Sequence, residues 1–481
     1  MNNIICEIVS STRGNDKINV HGYLMVKDRN RNNQYYWRCE KRGLLYCTGR
    51  AVTTFVEQQH RLCKSTEHNH AAEASRMTVL RTVNALKRRA QDTDELPAQI
   101  IRTVTTSGPP ETHPYLPSSD ALRQTINRLR HSEFPVEPTT LGELNIPEHL
   151  TRTLDGTRFL VRDSIIGEDR VLLFTTIANI RHLQESTFWI MDGTFKTVPN
   201  LFMQLYTIHG RIGTGNNSRI VPLVFSLMSR KTEACYRQLF QDLIDYSDDN
   251  GMQLQPRFIL TDFEQAAINA ARIEFVNVQN KGCHFHLAQN VYRKVQAAGL
   301  SARYNSDEPF SMAMRQLPAL AFLSPRNIPA AFDELRTIIP TAANDIVLWF
   351  EETYIRGRPR RSLRNGNIAR FPPLFPPTFW SVVDNMEYAF PRTQNSVEAW
   401  HRRWDTLVGS AHVGVFKIIE HMRKEQSQVM LNIEATLRGA PRPRQRRQTI
   451  IRERRIRRVF NNRNQMSVMA FLRGIAHNIC F

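Results

Sequence analysis

The chain has 481 residues, and at roughly 150 residues per domain it should hold about three domains, which excludes a lone small module. Its 64 Lys and Arg outnumber 45 Asp and Glu, leaving a net charge of +19 that favours a polyanionic partner such as DNA. No stretch approaches the roughly 18 to 20 uncharged apolar residues of a membrane span, and seven scattered cysteines make no disulfide framework, so a soluble intracellular protein without a membrane partner is expected. Residues 1-72 carry four of the seven cysteines and short runs of period-two character, HGYLMVKD, QYYWRCEK and LLYCTGRAVTTFVE, with a turn at Asn30 to Asn33. This pattern predicts a small β module. Residues 73-150 read as a basic helical connector, with ASRMTVLRTVNALKRRAQ and SDALRQTINRLRHSEF as helices on either side of the breaker-rich TSGPPETHPYLP.

From 151 to 435 apolar runs alternate with amphipathic segments, the pattern of an α/β core around a largely buried sheet. Strands are predicted near 159-163, 171-175, 188-193, 201-209, 219-228, 257-261 and 279-284, and helices near 232-246 and 263-276. A mainly helical insertion follows at about 288-392, interrupted by RGRPRRSLRNGNIARFPPLFPP, which reads as a loop. Helices are predicted again near 396-408 and 413-435. Residues 436-481 form an Arg-rich tail, with eleven Arg and one Glu between 438 and 463.

Three carboxylates stand out, and each has an ordinary structural explanation beside a chemical one. Asp192 ends FWIM, where alternation puts Phe188, Ile190 and Asp192 on one face of a strand, although Asp192-Gly193 also reads as a hairpin turn. Asp262 ends RFILTD and could cap the next helix with Gln265 in a capping box. Glu398 borders the stripe Val397, Trp400, Trp404 and Leu407 of a helix, where Asn395 and Glu398 offer a second capping box. Jointly, an acid on an early strand, one at the end of a later strand and one on a late helix match the way a two-metal phosphoryl-transfer site is assembled. Such a site uses hard carboxylate oxygens to hold Mg²⁺ or Mn²⁺.

The blocks MDGTF at 191-195, TDFEQAAINA at 261-270, GCHFHLAQNVYRKV at 282-295 and RTQNSVEAWHRRW at 392-404 resemble, in order, those of the MULE (Mutator-like element) transposase domain. The resemblance implies an RNase H-like mixed sheet with flanking helices and a helical insertion, a DDE catalytic triad of Asp192, Asp262 and Glu398, and DNA, as transposon ends and target, for a substrate. It also implies that Cys283 and His286 form a recurring motif beside the active site. Read from the residues, that C-x2-H pair is a buried thiol and a hydrogen-bonded His, since two ligands do not close a zinc site and His284 and His401 would have to join them.

Cys39, Cys47, His68 and His70 form the stronger ligand set, two thiolates and two imidazoles suited to tetrahedral Zn²⁺, with Cys63 off the pattern. A β module of this size lacks core volume, so zinc would contribute folding free energy. Gly22-Tyr23-Leu24, Tyr36-Trp37-Arg38-Cys39, Cys47-Thr48-Gly49-Arg50 and His68-Asn69-His70 resemble the FLYWCH-type zinc finger, with Tyr23 in place of the Phe of the family name. Phosphate contacts are expected from Arg358, Arg360 and Arg361 in the interrupting loop and from Arg446, Arg447, Arg454 and Arg455 in the tail, which reads equally as a nuclear-import signal.

These features together suggest a nuclear cut-and-paste transposase, with self-association as a further expectation. The alternatives are a domesticated, catalytically silent DNA-binding or transcription regulatory protein, and an RNA-binding zinc protein.

Overall fold

The computed structural model describes residues 4-10, 16-73, 75-93, 95-131, 134-362 and 368-479. Two compact units divide the chain, Met1–Val136 and Glu137–Phe481.

In the first unit, six antiparallel strands whose inward residues include Ile18, Met25 and Trp37 form a closed barrel: β1 Ile5–Ser10, β2 Asp16–Val20, β3 Tyr23–Arg31, β4 Gln34–Cys39, β5 Arg50–Val56 and β6 Gln59–Ser65. Three of its hairpins turn on two residues of positive φ, His21-Gly22, Asn32-Asn33 and Glu57-Gln58, the backbone that matches the twist of the flanking strands. Pairing of Ile5 with Arg61 and Cys6 with His60 closes the ring. The sequence pattern marked β3 to β5 but not β1, β2 and β6, and a helical turn, Arg42–Leu45, stands where LLYC reads as strand. The core is small, centred on Ile18, Val20, Met25, Trp37, Cys39, Cys47 and Ala51.

The connector supplies helices Ser75–Asp92, Pro97–Thr106 and Ser119–His131. Leu86, Ala90, Ile100, Ile101, Leu122 and Ile126 make their shared core. Of the helices expected from the sequence, Ala74, Ser132 and Glu133 lie outside the described residues.

The second unit is built on a seven-stranded mixed sheet made of β7 Leu160–Ile166, β8 Asp169–Phe174, β9 Phe188–Thr194, β10 Gln204–Ile212, β11 Arg219–Met228, β12 Phe258–Thr261 and β13 Gln279–Gly282. Its order is β13-β12-β9-β10-β11-β8-β7. β9, β10 and β11 are antiparallel neighbours, whereas β12 runs parallel to β9 and β13 parallel to β12. All seven strands coincide with those predicted from the apolar runs. β9 is buried on both faces. Trp189 and Met191 join a cluster with residues of the helices Glu233–Asp249 and Gln265–Glu274, while Phe188 and Ile190 join Phe258, Leu260, Cys283, Phe390 and Val397.

Two expectations are corrected here. The segment read as a loop has a two-stranded hairpin at its root, β14 Pro359–Ser362 with β15 Ile368–Arg370; residues 363-367 lie outside the described residues. The buried carboxylate of Glu351 anchors this root by accepting Arg336 at 3.2 Å, Arg356 at 3.3 Å and Arg370 at 3.2 Å. The Arg-rich stretch read as a tail instead carries helices Arg447–Asn461 and Val468–Ala476. Ile456, Phe460, Phe471, Leu472 and Ile475 bury themselves in the core of the helical insertion. The arginines masked a sparse apolar stripe, and burying that stripe is enough to order the segment.

Candidate active site and metal centre

In the barrel, Cys39 ends β4, Cys47 precedes β5, and His68 and His70 follow β6, so neighbouring strands bring the four side chains together. Their ligand atoms all lie within 4.8 Å of one another. Cys39 Sγ is 3.2 Å from His70 Nε2, and Cys47 Sγ is 3.4 Å from His68 Nδ1. Backbone amides support the sulfurs: Lys41 N donates to Cys39 Sγ and Gly49 N to Cys47 Sγ, each at 3.4 Å. Burial pushes both thiols up. For Cys47, however, amide donors from Gly49 and Asn69 outweigh burial and hold it below the usual thiol range, while Cys39 stays above.

His70 Nδ1 faces Ala71 O at 2.9 Å, the second partner that fixes a ligating imidazole. Tyr23 stacks on His68 with ring centroids 3.7 Å apart, and its hydroxyl donates to His70 O at 2.9 Å. The Tyr that departs from the family name thus holds both histidines. Gly49 is required for a steric reason, since a Cβ there would lie 2.4 Å from the His68 ring. Cys63 is exposed and takes no part in the cluster. The donor set, four soft or borderline ligands within reach of one ion, fits Zn²⁺.

In the second unit, each ordinary explanation for the three acids fails. Asp192 and Gly193 lie inside β9, paired with Thr207 and Tyr206 of β10, and form no hairpin turn. The helix Gln265–Glu274 has Glu264 at its N-cap with no side-chain cap. Asp262 Oδ1 instead accepts from Glu264 N at 3.2 Å. Asn395 is already within its helix, Asn395–Val408, whose N-cap Gln394 makes no side-chain cap bond, so Glu398 is free of the capping box.

Asp192 shares its strand face with Phe188 and Ile190, the face on which Val397 packs, which brings the Glu398 helix to the Asp192 side of the sheet. Gln394, fully buried, fixes that helix: its Nε2 donates to Met191 O on β9 at 2.8 Å, and Leu260 O on β12 lies at 3.5 Å. Trp404 Nε1 adds a bond to Thr197 Oγ1 at 3.0 Å.

Asp192 registers both other acids electrostatically. Burial and the charges of Asp262 and Glu398 push the Asp192 carboxyl up to about 8, against the opposing Gly193 amide and Lys231. Asp262 and Glu398 are raised too, mainly by burial. Glu398 Oε1 is buried without a hydrogen-bond partner. His401 Nδ1 stands 3.7 Å from Asp192 Oδ2, and burial holds its imidazole down to about 4, hence neutral. Carboxylate oxygens, of which Glu398 Oε1 is unsatisfied, are the hard donors that divalent cations take. Among the described residues, the Cys/His cluster is the one group of three or more Cys, His, Asp or Glu side chains close enough to share an ion, and the three acids do not close to that extent.

Cys283 follows β13 and starts the helix His284–Ala297 rather than ending a strand. Its Sγ accepts from Gln394 N at 3.3 Å, so it lies beneath the Glu398 helix. His286 is half-buried and neutral, its pKa held down to about 4 chiefly by desolvation, and its Nδ1 is unpartnered. His284 turns away, with Nε2 at 3.2 Å from Pro318 O. The expected DNA contacts stand on other elements: Arg358, Arg360 and Arg361 are exposed on the hairpin, and Arg446, Arg447, Arg454 and Arg455 are exposed at the start and along one side of the Arg447–Asn461 helix. Sequence reasoning missed Gln394, because a lone Gln before a helix carries no pattern, and it missed Lys231, whose role depends on two distant aspartates.

Residues 188–290 match the family model of the MULE transposase domain. Residues 8–70 match that of the FLYWCH zinc finger domain. No curated protein matches the chain. The MULE match takes in β9 to β13 with both aspartates, and the FLYWCH match takes in all four ligands of the barrel. Together the MULE and FLYWCH domains support a transposase-related DNA-binding protein with a zinc site. No described helix is long and apolar enough to cross a membrane.

Proposed function

We propose that the chain is a DNA transposase of the cut-and-paste, DDE type, acting in the nucleus through an RNase H-like unit in which Asp192, Asp262 and Glu398 hold two divalent ions, Mg²⁺ or Mn²⁺. The observation that carries this reading is the packing of the Glu398 helix on the β9 face that bears Asp192, with Gln394 at its start bonded to Met191 O and facing Leu260 O at the end of the strand that precedes Asp262. Support for the RNase H-like assignment comes from three antiparallel strands followed by two parallel ones, with a helical insertion before the helix of the third acid.

When bound, the ions would polarise a DNA phosphate and activate water or a 3′-hydroxyl. The chain's own part is positioning. Strands β9 and β12 present the aspartates from a rigid sheet, and Gln394 locks the third acid across both strands. Neutral His401 beside Asp192 adds no positive charge to the pocket. The net positive charge and the exposed arginines of the hairpin and the C-terminal helix would draw the phosphate backbone without regard to sequence. The barrel, stapled by zinc, would serve as the DNA- or protein-binding appendage.

The test is a cleavage assay on DNA carrying the element's terminal repeat, with Mg²⁺ or Mn²⁺. Wild-type protein is expected to nick at the repeat end, and Asp192→Asn, Asp262→Asn and Glu398→Gln to bind the DNA and leave it whole. Binding by the wild type with no cutting would turn the reading to a catalytically silent DNA-binding protein.

A further inference from the structure

Two side chains outside the acid set stand at its edge. Phe195 is the first residue beyond β9, three positions after Asp192, and it is 47% exposed. Lys231, between β11 and the helix Glu233–Asp249, places its Nζ 4.7 Å from the centroid of that ring. The lysine does not wave in solvent. Its ammonium lies 2.5 Å from Glu264 Oε2, whose other oxygen accepts from the buried Tyr236 hydroxyl at 2.9 Å, and that hydroxyl in turn accepts from Gln204 Nε2 at 2.7 Å. Glu264 is also the residue whose amide donates to Asp262. Ring and cation therefore bridge the chain leaving one aspartate and the chain leaving the other, on a support that is buried at its root.

A DNA strand led to this site carries phosphates on either side of the one attacked, and a cation at the edge of the acid set is placed to hold one of them. An open aromatic ring beside such a cation is the arrangement by which single-stranded nucleic acid is held, the base on the ring and the backbone on the charge. We propose that Phe195 and Lys231 form a nucleotide seat beside the acid pocket, Phe195 stacking one unpaired DNA base and Lys231 holding the phosphate next to it. This rests on the nuclease reading above and names where its substrate sits.

The test uses the full chain and a short DNA strand carrying the fluorescent base 2-aminopurine at each position in turn. One position is expected to be quenched on binding. Phe195→Ala should abolish the quench and weaken binding about tenfold, and Phe195→Trp should restore both. Lys231→Gln should lower the slope of log affinity against log salt by about 0.7, one phosphate contact. A Phe195→Ala protein with wild-type quench and affinity would overturn the seat, as would tighter binding of an RNA strand of the same sequence. Failure of the underlying reading looks different: acid variants that cut DNA like the wild type remove the triad and leave the quench untouched.

Discussion

The barrel and the α/β unit each collect ligand side chains from separate parts of the chain, but they do so on opposite terms. In the barrel the ligands suit one another even without metal. Thiols meet imidazoles, amides point at sulfur, and Tyr23 and Ala71 hold the histidines. What the barrel lacks is a large core, since it has one small cluster of its own and a patch, Val9 and Leu24, packed on Met77 and Leu80 of the next helix. The α/β unit has an extensive core, yet its Asp192 carboxyl is opposed by burial and by the other two acids. Metal should therefore decide folding in the first unit and chemistry in the second.

The largest expected effect is on the barrel. Chelating zinc, or Cys39→Ser, should remove one zinc per chain and unfold the barrel, because structural zinc contributes about 10 to 16 kcal/mol, more than so small a core can replace. Amide exchange on the whole chain is the measurement. Loss of protection is expected across β2 to β6 with β7 to β13 unchanged, and retained zinc in the Cys39→Ser protein would break the comparison.

The second effect belongs to the acids. Asp192→Asn should lower strand cleavage by at least about a thousandfold, since charge stabilisation by metal is worth several kcal/mol, while the α/β unit stays folded. The same group sets a pH dependence. Without metal, Asp192 titrates near 8 in the folded chain, against about 3.9 unfolded. An acid raised in this way contributes stability that is complete below the unfolded value and is lost as pH rises through the folded one. The metal-free melting temperature of the α/β unit should fall between about pH 4 and pH 8, and Asp192→Asn should flatten that fall. A parallel fall in the variant would show that other groups govern it.

Smaller effects sharpen the picture of the zinc site. Gly49→Ala forces His68 aside and should weaken zinc binding by about 10- to 100-fold, measured by competition with a chromogenic chelator. Tyr23→Phe keeps the ring on His68 but loses the bond to His70 O, at a cost of about 1 kcal/mol in barrel stability by thermal melting. No change in the Phe variant would assign Tyr23's contribution to stacking alone.

Much of this was legible in the residues. The seven core strands follow from apolar runs, and period two placed Asp192 with Phe188 and Ile190 on the face where the Glu398 helix packs. The zinc ligands could be read from residue type and spacing. Other features resisted local reading. Capping boxes and a hairpin turn fitted the acids equally well on paper, and they were excluded only when Asp192 was found within a strand and the Glu398 helix was found to begin at Asn395. A run of arginines looked like a solvated tail, because apolar residues spaced a helical turn apart are hard to see between charges.

Sequence by itself determined the strands of the α/β core, which residue types can ligate a soft or a hard cation, and a charge that favours polyanions, because periodicity, donor chemistry and net charge are properties of the residues. Tertiary structure decided which side chains meet. Gln394 reaches across two strands, Lys231 is held on Glu264 beside both aspartates, and Ile456 and Phe460 bury a helix rich in arginine. Those contacts join residues far apart in the chain, and no local pattern records a distance that only packing sets.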